Sequence, residues 1–130
     1  MFDETKKYKN NGHFFFQKGN KFIEVSKDVP ELPGVYYIIR LANNRVDLVY
    51  IGKMVGAYGI RIHDEKGEFN SPQQFFDKKM IEENIDGLDI YWFVTMDKTN
   101  DDLPGYVEGL LMQRHFDLHG KLPPWNNEFY

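Results

Sequence analysis

Cysteine is absent from this chain, which excludes thiolate catalysis, disulfide bridges and zinc sites of the Cys type. A membrane-spanning run is absent too: Phe14 to Phe16 is far shorter than the roughly 20 apolar residues a bilayer requires. The opening MFDETKKYKN lacks the apolar centre of a signal peptide. The expectation is a soluble, cytoplasmic protein with no membrane partner. A surplus of positive charge, usual in DNA binders, is also missing, because 16 Lys and Arg face 20 Asp and Glu for a net charge of −4. No repeat, low-complexity tract, zinc finger, helix-turn-helix or long basic arm is visible.

The 130 residues suffice for one domain with a modest core, over 1–130. An apolar share of 42% excludes general disorder, and the aromatic share of 16% points to a core filled by large rings. Charge is uneven. Residues 1–61 hold ten Lys and Arg against six Asp and Glu, whereas residues 62–130 hold six against fourteen. Such asymmetry permits one basic face on an acidic protein.

Local patterns divide the chain. The first ten residues are polar and are expected to fray. His13 to Gln17 and Lys21 to Val25 flank Lys18-Gly19-Asn20 and predict a hairpin. Gly34 to Leu41 is rich in β-branched and aromatic residues and predicts a strand, returned by Val46 to Ile51 after the turn signal Asn43-Asn44. Val55 to Asp64 has roughly helical spacing, weakened by Gly56 and Gly59. Ser71-Pro72 starts a helix reaching about Asn84. Leu88 to Met96 is a buried strand. A capping-box-like entry at Thr99 to Asp102 leads into a helix over Pro104 to His119, ended by Gly120. The sum is an α+β sandwich on a short mixed or antiparallel sheet flanked by helices, with an N-terminal β-hairpin extension over 1–30.

Reactive side chains gather in three segments. Tyr36 and Tyr50 stand on neighbouring strands, where two phenols at one edge can position a water or act on its proton. Taken alone, such tyrosines are more often core or rim residues. Gly52 suits a close backbone approach. Arg61 carries a guanidinium suited to phosphate oxygens, although one Arg is commonly a solvated charge. His63, beside it, can donate or accept a proton. Glu108 interrupts a helix face marked by Val107, Leu110, Leu111, Met112 and Leu118. A carboxylate there is costly unless paired or holding a metal; a single oxygen ligand suits Mg²⁺, which keeps most of its waters. A salt bridge to Arg114 or Lys53 is the alternative.

Gly34-Val35-Tyr36, then Tyr50-Ile51-Gly52-Lys53, Arg61, Glu108 and Asn126-Asn127 together resemble the GIY-YIG nuclease superfamily, in order over about residues 33–127. The resemblance implies a metal-dependent endonuclease that cleaves phosphodiester bonds, DNA more than RNA. Tyr36 and Tyr50 would face the scissile phosphate, Lys53 would assist deprotonation, and Arg61 would stabilise transition-state charge. Glu108 would hold the single Mg²⁺ or Mn²⁺, and Asn126 or Asn127 would support the site, with Asn127 grouped among the catalytic residues beside His63. Lys53, Arg61 and Arg45 would contact nucleic acid. Glu65 stands where the family commonly has His or Tyr, so the alternative is a non-catalytic nucleic-acid-binding or interaction module on the same scaffold. The interval between the two triplets is slightly long, implying a longer turn around Ala42 to Arg45. Target specificity would come from loops, from residues 1–30, from a partner protein or from a homodimer.

Overall fold

The computed structural model describes residues 2–55, 62–63, 69–70 and 72–126, with the backbone alone at 62–63 and 69–70. A 3-10 turn (Asp3–Thr5) precedes β1 (Asn11–Phe16), α1 (Phe22–Val25), β2 (Pro33–Ala42) and β3 (Arg45–Val55). The short strands β4 (Ile62–His63) and β5 (Phe69–Asn70) pair with each other. Then come α2 (Pro72–Glu82), β6 (Gly87–Val94) and α3 (Pro104–His119). The main sheet is antiparallel in the order β1-β6-β2-β3. The molecule is therefore a small α+β protein, with helices on both sides of the sheet.

β2 is central because its side chains suit burial on both faces. Val35, Tyr37 and Ile39 point one way and Tyr36 and Ile38 the other, and all five are buried. Tyr36 and Ile38 join Phe16, Phe76, Met80 and Trp125 under α1 and α2. Val35, Tyr37 and Ile39 join Phe2, Tyr8, Val107 and Leu111 under α3. Each such side chain, fully buried, contributes about 1.5–3 kcal/mol.

The β2–β3 turn is as short as a hairpin allows. Asn43 (φ 53°) and Asn44 (φ 58°) both take the left-handed conformation, and Ala42 pairs with Arg45. This is the conformation that matches strand twist, and Asn tolerates it. The expected longer turn is thus absent. The extra residue is taken up inside β3, where the register shifts between Ile38–Tyr50 and Ile39–Leu48 and leaves Val49 as a bulge.

Four further expectations are corrected. No N-terminal hairpin forms: β1 is a full strand of the main sheet, paired with β6, and residues 22–25 form the one-turn helix α1. That turn sends Phe22 into the core and leaves Ile23 62% exposed, which a strand partnered with β1 would not require. The first residues do not fray, since Phe2 and Tyr8 are buried and the Tyr8 hydroxyl donates to Asp102 at 2.7 Å. Val55 and Ile62–His63 are strand rather than helix; the remainder of that stretch lies outside the described residues. The α3 entry uses no side-chain cap: its N-cap is Leu103, followed by Pro104, while Asp97 accepts from the amides of Thr99 and Asn100 and Asp102 accepts from Tyr8. Pro at the first helical position needs no amide partner there. Gly120, at φ 70°, closes α3 as expected.

Candidate active site at the outer edge of β3

Across the β2–β3 ladder Tyr36 pairs with Gly52, and Ile38 pairs with Tyr50. Tyr36 and Tyr50 therefore sit diagonally on one face, with ring centroids 5.8 Å apart and planes 34° from each other. The bulge helps, because it lets both Val49 and Tyr50 enter the same core cluster. Gly52 makes room for the pair. A Cβ there would fall 2.7 Å from Cζ of Tyr36 and 2.8 Å from its Oη, so the Tyr36 ring crosses β3 where the backbone carries no side chain.

The Tyr36 ring is wholly enclosed, and its Oη makes no hydrogen bond of ordinary geometry among the described residues, although the Tyr50 phenol lies near enough to act on it. Burial first, then the nearby Tyr50 phenol, then the charge of Glu108 hold its pKa well above that of a free tyrosine. At neutral pH this hydroxyl keeps its proton and can donate a hydrogen bond; it is not a base. An unpaired buried hydroxyl costs stability, and such costs cluster where a group awaits a partner.

Glu108 approaches from the other side of the sheet. Helix α3 packs its Val107 and Leu111 on Val35, Tyr37 and Ile51. Its buried stripe is Val107, Leu111 and His115, whereas Leu110 and Leu118 are exposed, so the inward face is narrower than expected. Glu108 lies half-buried beside that stripe. Burial raises its pKa, and the positive charge of Lys53 acts against that rise. The salt bridge to Arg114 does not form, because Arg114 binds Glu4 at 2.9 Å. Among the described residues no hydrogen bond or ion pair holds the Glu108 carboxylate. Lys53 is exposed on β3, with its Cδ 3.9 Å from the Cβ position of Gly105 in α3.

Asn126 closes the same edge. Its Oδ1 accepts from the Ile51 amide and its Nδ2 donates to the Ile51 carbonyl, both at 3.0 Å. One side chain thus does what a neighbouring strand would do, midway between Tyr50 and Gly52. The Trp125 amide donates to the Val49 carbonyl at 2.9 Å. The Trp125 indole donates to Glu83 at 3.0 Å and lies under the Lys79 ammonium, 5.5 Å from its ring centroid. Glu83 also binds Arg40 and, at 3.3 Å, Lys79. This charged group behind Tyr50 had no signal in the sequence beyond Lys79 and Glu83 standing one helical turn apart.

The structure therefore brings together Tyr36, Tyr50, Lys53, Glu108 and Asn126. Arg45 stands beside the hairpin turn, eight residues along β3 from Lys53, or roughly 25 Å at strand rise, and does not join them. Arg61, Glu65 and Asn127 lie outside the described residues, and His63 is described only as backbone in β4. No group of three or more His, Asp or Glu able to hold a metal occurs among the described residues. One half-buried carboxylate could serve a divalent ion as its single protein ligand: Glu108, without an ion pair among the described residues and within electrostatic reach of Tyr36. Among the described residues no helix is long and apolar enough to cross a membrane. Comparisons with protein-family models, with curated proteins and with solved structures find no match.

Proposed function

We propose that this chain is a GIY-YIG-type endonuclease that hydrolyses phosphodiester bonds of nucleic acid, DNA in preference to RNA, with Mg²⁺ or Mn²⁺. The observation that carries the reading is the Tyr36 hydroxyl, buried over Gly52 with no hydrogen bond of ordinary geometry among the described residues, and within electrostatic reach of Glu108, which has no ion pair among them. Tyr36, kept protonated, donates to the attacking water or to a phosphate oxygen. Tyr50 lies against it and shapes the same pocket. Lys53 lends positive charge at the site's outer margin, and Arg61 and His63 are proposed to complete it by holding phosphate charge and handling a proton. An ion held by Glu108 would neutralise phosphate charge and lower the pKa of bound water. In the net reaction water adds to phosphorus, the bond to the 3′ oxygen breaks, and that oxygen takes a proton. The products are a 5′-phosphate and a 3′-hydroxyl.

Plasmid nicking in Mg²⁺ or Mn²⁺ tests this reading. Tyr36→Phe keeps the ring and removes one donor, so cleavage should fall about 10²–10³-fold, while thermal stability holds or rises. Glu108→Ala should abolish nicking with the fold intact by circular dichroism. No cleavage of duplex, branched or single-stranded substrates by the unaltered chain would sink the reading. Salt-dependent binding without cleavage would favour a non-catalytic binding module on this scaffold.

A further inference from the structure

The two outer strands of the sheet are finished differently. At β3, Trp125 and Asn126 occupy backbone groups of Val49 and Ile51. Among the described residues nothing comparable meets β1. The Val94 amide donates to the Asn10 carbonyl, which, with Asn11 opposite Phe93, sets the alternation: Asn10, Gly12, Phe14 and Phe16 turn their backbone groups to β6. Asn11, His13 and Phe15 turn theirs outward. None of those six outward amides and carbonyls has a partner among the described residues.

Soluble proteins usually blunt such an edge with Lys, Pro, a bulge or a covering loop. Residues 10–17 (NNGHFFFQ) contain no Lys, Arg, Asp, Glu or Pro, and β1 pairs along its whole length without a register shift. Phe15 is 51% exposed. This edge is shaped for another strand.

We infer that the partner is a second copy of this chain, joined β1 to β1 antiparallel about a two-fold axis at His13. In that register Asn11 faces Phe15 of the partner subunit, and the two His13 residues face each other. All six outward groups of each copy are then satisfied at once; a shift by one residue satisfies none. Side chains complement each other on the opposite face, where Phe14 meets Gly12 of the partner subunit. Gly12 carries no side chain of its own, and the Trp92 indole fills the space over it, 2.7 Å from where a Cβ would be. The incoming Phe14 would rest on that indole. No Lys, Arg, Asp or Glu lies between Asn10 and Gln17, and the His13 side chain at the axis is held by Asp89 of its own copy at 2.8 Å. A ladder this short belongs to the small interface class, below about 1,200 Å², so the dimer is reversible. The candidate sites would stand at the two outer edges of an eight-stranded sheet, and the association does not depend on whether the chain cleaves nucleic acid.

Sedimentation velocity on the full chain from about 1 µM to about 1 mM, the range for weak interfaces, should show monomer passing to dimer. Phe15→Lys should raise the midpoint at least about tenfold, and Ile23→Lys, exposed but off the edge, should leave it unchanged. In the cysteine-free background, oxidation of His13→Cys should yield a covalent dimer, since facing Cα atoms stand ~5.5 Å apart in such a pair. Ile23→Cys should not cross-link. A monomer at every concentration, a dimer indifferent to Phe15→Lys, or equal cross-linking of the two cysteine variants would each overturn the inference, the first pointing instead to a heterologous strand.

Discussion

At β3 the outer backbone is met by one main-chain amide and one carboxamide; at β1, among the described residues, it meets nothing of its own chain. Both strands are edges of the same sheet, yet they differ in what the adjacent side chains must do. β3 carries Tyr50, Gly52 and Lys53, whose positions matter to within a fraction of an ångström if they are to share a ligand. Its backbone is held at Val49 and Ile51, on either side of Tyr50. β1 carries Phe14 and Phe16 toward the core and leaves Asn11, His13 and Phe15 outside. A closed edge fixes geometry, and an open edge offers association.

The contrast breaks most directly at Trp125. Its side chain is fully buried, so Trp125→Ala should cost about 3–5 kcal/mol in urea unfolding and remove the indole hydrogen bond to Glu83. Asn126→Ala should cost about 2–3 kcal/mol, because it strands both polar groups of Ile51; an effect below 1 kcal/mol, roughly one exposed hydrogen bond, would show that this edge is not held as described. Glu108→Gln should abolish nicking yet raise the melting temperature at neutral pH by on the order of 1–3 °C. The sign follows from its raised pKa: the native state holds the proton more tightly, so stability falls as pH rises from the ordinary carboxylate range through the raised value. The variant escapes that loss, and the two proteins should converge at low pH. The smallest effect belongs to the open edge. Phe15→Lys should change monomer stability by no more than about 0.5 kcal/mol, measured at a concentration where the unaltered chain is monomeric.

Much of the core was legible in advance. Gly34 to Leu41 reads as a strand because β-branched and aromatic residues run without a break, and β2 spans Pro33–Ala42. Pro72 and Gly120 mark helix ends because their backbone preferences are local. The N-terminal hairpin failed for an equally physical reason. Whether Phe22 and Val25 lie on one side of a helical turn or on opposite sides of a strand is decided by Phe16 and Phe76, which are distant in sequence or unassigned until the sheet forms. The triplets of the candidate site were visible as words, but their purpose was not. Gly52 is required by the Tyr36 ring above it, and the one-residue excess between the triplets is a bulge at Val49, not a longer turn. Glu83, Lys79 and Arg40 gave no sign that they would converge behind Trp125.

Residue order alone determined the strand at β2, the helix ends at Pro72 and Gly120, and that rings would fill the core. These depend on backbone preference and on alternation along a few residues. Tertiary structure decided that burial holds the Tyr36 pKa well above that of a free tyrosine, that Glu108 has no ion pair among the described residues, and that among them one sheet edge is closed while the other is open. Burial, electrostatic reach and the partner of each outward amide depend on groups brought together from remote parts of the chain, and no local pattern records them.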